Sequence, residues 1–173
     1  ERVVVSQLIR SAGVFFTADR ATTRNNYGAK LIPGRGAWLE FETASNGAIY
    51  VKIDRRRKLP VTTLFRALGY NKTTEIKELF ADIDDGEIKH IEATLDKDPA
   101  RGTNEALIEV YRRLRPGDLA TVDNARSMIE RMFFDFKRFD YSRVGRYKIN
   151  QRLGLEVANT TENRVFQVSD LLA

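Results

Sequence analysis

The sequence predicts an α+β fold, with a β-rich N-terminal part built around a hairpin and a helical C-terminal part. Three observations carry that expectation. Apolar and polar residues alternate through most of the first seventy positions, the period of a half-buried strand. From Pro60 onward the apolar spacing changes to three and four, the period of an amphipathic helix. The 173 residues are 42% hydrophobic and 31% charged, enough to bury one core and too apolar for a disordered chain. A single domain is expected over 1–173, divided into a strand-rich part at 1–70, a variable charged segment at 71–102 and a helical part at 103–173.

Five runs read as strands: RVVVSQL, GVFFTA, YGAKLI, AWLEFE and AIYVKI. They are set apart by RATTRNN, PGRG and TASNG, which carry turn-forming residues. AWLEFETASNGAIYVKI is the clearest element, two alternating runs about Asn46-Gly47, a dipeptide suited to the positive φ of a tight hairpin. Successive side chains on a strand point to opposite faces. Leu39 and Phe41 therefore share a face, which Ile49, Val51 and Ile53 continue across the hairpin. Trp38, Glu40, Glu42, Tyr50 and Lys52 point the other way. Two readings of Trp38, the single tryptophan, follow: an aromatic partly covered at a strand edge, or a ring exposed to a flat ligand such as a nucleobase. The preceding PGRG, mobile and cationic, favours the second.

PVTTLFRALGY opens the helical part. Pro60 suits a first turn because the N–H it lacks would be unpaired there; Leu64, Ala67 and Leu68 recur at core spacing and Gly69 is a stop. Between 71 and 102 the chain is charged and weakly periodic, which predicts short helices with turns at Asp85-Gly86 and Asp98-Pro99. TNEALIEVYRRLRP aligns Leu107, Tyr111 and Leu114, and TVDNARSMIERMFFD aligns Val122, Ala125, Ile129, Met132 and Phe133. YSRVGRYKINQRLG is a third helix, amphipathic and basic through Arg143, Arg146, Lys148 and Arg152. Ser169 of SDLLA is placed to cap a last short helix. A chain that begins in a strand-like run and stops in a helix reads as a piece of a longer polypeptide, whose function it would share.

Cysteine is absent, which excludes disulfides and thiolate metal sites and fits the cytoplasm. No apolar run approaches the roughly 20 residues of a membrane span, and no signal-peptide pattern opens the sequence. The one histidine, His90, lies in a charged segment with no partner at catalytic spacing and reads as a surface residue. DIDDGE holds its oxygens and glycine out of register with a calcium loop and reads as a solvated turn. No phosphate-binding glycine loop, nucleophile elbow or zinc pattern occurs, so no catalytic residue, metal or cofactor is assigned.

What the chain offers instead is clustered positive charge. The net charge is +5, and Arg55, Arg56, Arg57 and Lys58 stand in succession. Such a block repels itself unless an anion lies against it. Alone, the run admits a solvated turn, a nuclear import signal or a cap on neighbouring carboxylates. Arg10, Arg35, Arg115 and the DFKRFDYSRVGRYKINQR stretch add to it. With Trp38 they supply phosphate-neutralising charge beside a stacking ring, the pairing that single-strand binding needs. Arginine outnumbers lysine in these stretches, which favours planar recognition of phosphate or base edges. Alternation sends neighbours of the run to opposite sides, so at least one is expected to pair with a carboxylate such as Asp54.

ERVVVSQLIRSAGVFF, GRGAWLEFE, IDRRRKLPVTTLFRALGY, YRRLRPGDLATVDNARSMIERMFFDFKRFDYSRVGRYKIN and LGLEV together resemble the lobe domain of the β subunit of bacterial DNA-dependent RNA polymerase. The resemblance runs over nearly the whole chain and is weakest from Asn71 to Arg101. It implies a mixed α/β domain in one jaw of a DNA cleft, contacting the non-template strand and downstream duplex, other polymerase subunits, the σ factor and transcription regulators. It implies that Trp38 stacks on a non-template base and that Arg10 helps line a pocket for a neighbouring guanine. Arg115 and Arg138 would approach the same strand further upstream, with Arg55 to Lys58 along its path. The chain stops before the aspartate and arginine that complete the guanine pocket. Catalytic magnesium would be held by another subunit, so the fragment itself is expected to make no RNA. The alternative is a docking surface for σ or regulators with little direct role at DNA.

Overall fold

The computed structural model describes residues 2–19 and 26–173. Five strands form an antiparallel meander in which each pairs with the next in sequence: β1 (Gly13–Asp19), β2 (Asn26–Ile32), β3 (Leu39–Thr43), β4 (Ile49–Ile53) and the short β5 (Leu59–Pro60). Of the RATTRNN stretch, predicted as a turn, residues 20–25 lie outside the described residues and Asn26 opens β2. The register aligns Val14, Leu31, Leu39 and Ile53 in one cross-strand row and Phe16, Ala29, Phe41 and Val51 in the next. These rows form the face turned to the core, as alternation predicts. The opposite face carries the rows Phe15, Lys30, Glu40, Lys52 and Thr17, Gly28, Glu42, Tyr50.

The β3–β4 hairpin closes as its dipeptide predicts. Gly47 has φ +85°, its N–H donates to the Ala44 carbonyl, and the Asn46 side chain accepts from the Ala48 N–H. A β-carbon at Gly47 would stand 2.5 Å from the Ile88 side chain, so both backbone sign and space require glycine.

RVVVSQL is not a strand. Residues 2–12 carry no strand pairing, and Val3, Val4 and Leu8 are about nine-tenths exposed. β propensity becomes a strand only where a neighbouring backbone supplies the hydrogen bonds, and none of the described residues pairs with this segment.

Seven helices follow: α1 (Val61–Ala67), α2 (Thr73–Leu79), α3 (His90–Leu95), α4 (Thr103–Leu114), α5 (Val122–Phe133), α6 (Ser142–Leu153) and α7 (Val168–Leu172), with a 3-10 turn at Glu162–Arg164. The predicted stripes of α4 and α5 are the faces that pack: Leu107, Tyr111, Leu114, Ala125, Ile129 and Phe133 join Leu39, Val51 and Ile53 in the main core. Phe133, Phe139 and Phe166 meet there edge-on or tilted, at centroid distances of 5.4 to 6.3 Å. A smaller core of Val61, Phe65, Ile76 and Ile91 lies under α2 and α3.

Two local expectations are corrected. Ser169 does not cap α7; Gln167 is the capping residue, and the Asp170 carboxylate accepts from its N–H. His90 is half-buried, with Nδ1 2.7 Å from the Gly47 carbonyl, so it ties α3 to the hairpin turn. Asp84 of the DIDDGE turn accepts from the His90 and Ile91 N–H groups and thereby caps α3.

Candidate nucleic-acid interface

Three chain segments converge where β1 and β3 begin and β2 and β4 end. The first is PGRG. Arg35 forms a two-bond backbone bridge with Asp140, at 3.0 and 2.8 Å, which docks this loop on the segment between α5 and α6. Only glycine fits at the contact: Gly36 has φ +123°, and a β-carbon there would lie 2.8 Å from the Phe139 ring. The Arg35 side chain reinforces the dock through the Phe136 carbonyl, at 3.0 Å. Trp38 and Arg138, far apart in sequence, are thus carried by two segments pinned to each other.

The second segment is the turn after β4. The Arg56 N–H donates to the Ile53 carbonyl at 3.0 Å, while Asp54 and Arg55 between them take φ +50° and +60°. Left-handed backbone at two successive non-glycine residues costs on the order of 1–3 kcal/mol each. Asp54 N–H bonds the Trp38 carbonyl at 2.8 Å, and the Arg55 guanidinium sits 5.1 Å above the indole centroid.

The third segment is the α4–α5 pair. Between it and the other two runs an open polar groove of about 800 Å³, lined by Arg56, Arg115, Arg131 and Arg138 with Asp54 as the carboxylate among them. Among the described residues Arg115 and Arg138 have only long ion pairs, 3.8 Å to Asp118 and 3.7 Å to Asp135, at the surface. Contacts of that kind contribute between zero and about 1 kcal/mol, so they hold these two guanidiniums weakly and leave them free to turn to another anion.

Sequence reasoning named Arg56, Arg115 and Arg138, and the fold brings these three together. It missed Arg131. The available clue was helical spacing: Asn124, Ser127, Met128 and Arg131 form the α5 stripe beside its buried one. Trp38 lies outside the core, as parity requires, but is half-buried rather than open. Arg55 covers it, an attraction that parity says nothing about.

Lys58 turns to the outer face of the sheet, 3.1 Å from Glu42 and 4.7 Å from the Tyr50 centroid. One member of the run therefore does meet a carboxylate, Glu42 rather than Asp54. Arg57 is exposed and lines no part of the groove. Arg10, on the exposed N-terminal segment, rests 5.6 Å over the Phe15 ring and is not gathered with the others. Arg146, read from sequence as part of a basic surface, is completely buried against Asp170. A cation at a buried helix position is retained only with a buried partner, and that partner lies on another helix.

Hydrogen bonds from Lys52, ahead of those from Lys58, hold the Glu42 carboxyl below its ordinary value. A carboxylate with a lowered folded pKa contributes stability above its unfolded pKa and loses it as pH falls through the folded one. Glu42→Gln should therefore flatten the fall of melting temperature in the acidic range just below the ordinary carboxylate value. Parallel melting curves for the two proteins across that range would refute the assignment.

Among the described residues, no group of acidic or histidine side chains is arranged to hold a metal, and no helix is long and apolar enough to cross a membrane. Residues 10–173 match the family model described as RNA polymerase Rpb2, domain 2. The chain is 52% identical over 164 residues to the DNA-directed RNA polymerase subunit beta of Clostridium botulinum, covering 94% of this chain and 13% of that one. It is 53% identical over 159 residues to the subunit beta of Clostridium kluyveri, covering 91% and 12%. The chain thus spans about an eighth of the length of the curated relatives it matches. The five-stranded sheet with its cover of helices accords with that match, and the chain belongs to the RNA polymerase Rpb2 domain 2 family, the lobe of bacterial β subunits.

Proposed function

We propose that this domain forms a non-catalytic wall of the DNA path in an RNA polymerase and holds the non-template strand beside the downstream duplex. The observation that carries the reading is the convergence of Arg56, Arg115 and Arg138 on one groove next to the Trp38–Arg55 stack. Phosphates offset the mutual repulsion of the arginines, and an unstacked base would take the place of Arg55 on the indole or stack on its guanidinium. The polymerising chemistry, with its magnesium, belongs to other parts of the assembly. The domain positions DNA and moves no proton or phosphoryl group.

The test is site-specific crosslinking in the assembled polymerase. A photoreactive residue at position 38 should label one non-template base at an open promoter, and Trp38→Ala should weaken that contact by about 1–3 kcal/mol. Absence of the crosslink, with σ binding intact, would reject the reading.

One observation favours a second role, docking of protein. Val3, Val4, Val5, Leu8 and Ile9 are all more than seven-tenths exposed. A run of that kind is covered by protein rather than by phosphate. Crosslinks from this segment to σ, a regulator or another polymerase subunit, but not to DNA, would place that role beside the first.

A further inference from the structure

We propose that Arg131 is a phosphate ligand of the groove, engaging the backbone of the bound strand together with Arg56. The proposal rests on the DNA reading above and adds a residue to it. Four guanidiniums line the groove, against the single carboxylate of Asp54. Arg115 and Arg138 have carboxylates of their own nearby, Asp118 and Asp135. Among the described residues, Arg56 and Arg131 form no ion pair at all. Of the four guanidiniums that line the groove, they are the two without a carboxylate in ion-pair reach.

The bland account is that Arg131 serves its helix, since it is the basic residue in the last turn of α5, where a cation favours the macrodipole. That account does not explain why its side chain borders the groove. Glu130 and Asp135 lie close in sequence, yet neither forms an ion pair with it. A guanidinium with five donors, exposed and unpaired beside three others, is the arrangement that anionic oxygens complete. The ligand inferred is a phosphodiester of a DNA strand. An acidic segment of a protein is the competing occupant.

The experiment uses the whole polymerase with σ and measures its affinity for one promoter DNA across roughly 50–200 mM salt. Arg131→Gln should lower the salt slope by about one and weaken binding to unrelated promoters alike, because one phosphate contact is lost. Arg131→Lys should restore most of the slope, since it keeps the charge. Arg115→Gln reports on the groove and Arg57→Gln, outside it, on general charge.

A wild-type slope for Arg131→Gln with a reduced one for Arg115→Gln would overturn the role of Arg131 and leave the DNA reading standing. Wild-type slopes for both would overturn the two together and point to a protein occupant. An equal reduction for Arg57→Gln would overturn the contact in favour of a diffuse field.

Discussion

Asp170→Ala should cost about 3–5 kcal/mol, a large share of the roughly 5–15 kcal/mol that stabilises a domain. Arg146 and Asp170 are both fully buried and joined by two parallel bonds of 2.7 Å. The guanidinium also donates to the Asn163 carbonyl at 2.9 Å and lies 4.7 Å over the Tyr141 ring. An arginine cannot shed its proton in a protein, so removing Asp170 strands a charge in the core. The Tyr141 ring faces the guanidinium but its phenol cannot neutralise it: burial first, then the Asp170 charge, pushes that phenol well above the ordinary range.

Because α7 and the 3-10 turn hang on this pair, the loss should appear as a lower denaturant midpoint at constant slope. The double change Arg146→Met with Asp170→Leu should cost much less, since no unpaired charge remains. A loss below about 1 kcal/mol for Asp170→Ala would show that water reaches the pair.

The second large effect concerns Arg66. This side chain, 3% exposed, bonds the Asp98 carboxylate at 3.1 Å, the Asn71 carbonyl at 2.6 Å, the Thr73 hydroxyl at 2.7 Å and the Arg101 carbonyl at 3.3 Å. Asp98, equally buried, also accepts from the Thr63 hydroxyl and the Ala100 N–H. One residue of α1 therefore holds both ends of the charged segment at 71–102. Arg66→Ala should cost about 3–5 kcal/mol. The loss should also be local: amide exchange in α2 and α3 should accelerate far more than in the sheet. Uniform acceleration over the domain would contradict the hub. Thr63→Ala, which removes one of several bonds to Asp98, should cost only about 1 kcal/mol.

These two arginines mark where the sequence was hardest to read. Alternation located β1 to β4, and helical stripes located α4 and α5, because both report burial of apolar side chains. α6 is not amphipathic in the expected sense, since its apolar Val144 and Tyr147 are exposed while Arg146 and Ile149 are buried. A buried cation breaks that code. Arg146 stands between Gly145 and Ile149 on the packed side of α6, and Arg66 follows Leu64 and Phe65 in a helix whose first six residues are all buried. Position hinted at burial, but the partners, Asp170 and Asp98, lie too far along the chain for periodicity to reveal. The groove divided in the same way. Its cations were visible as residues, while their meeting depends on the Arg35–Asp140 bridge and on the α4–α5 packing, which are long-range events. RVVVSQL failed for the complementary reason, since it had the pattern of a strand and no pairing backbone among the described residues.

The turn at Asp54 and Arg55 has a consequence for affinity. A glycine in either place would relieve the left-handed backbone and raise the stability of the free domain. It would also let the Arg55–Arg56 backbone wander. With two non-glycine residues locked in an unfavourable but single conformation, Arg55 is held over Trp38 and Arg56 toward the groove before any ligand arrives. The entropy of ordering these cations is spent once, when the chain folds, and is not charged again at each encounter with a strand.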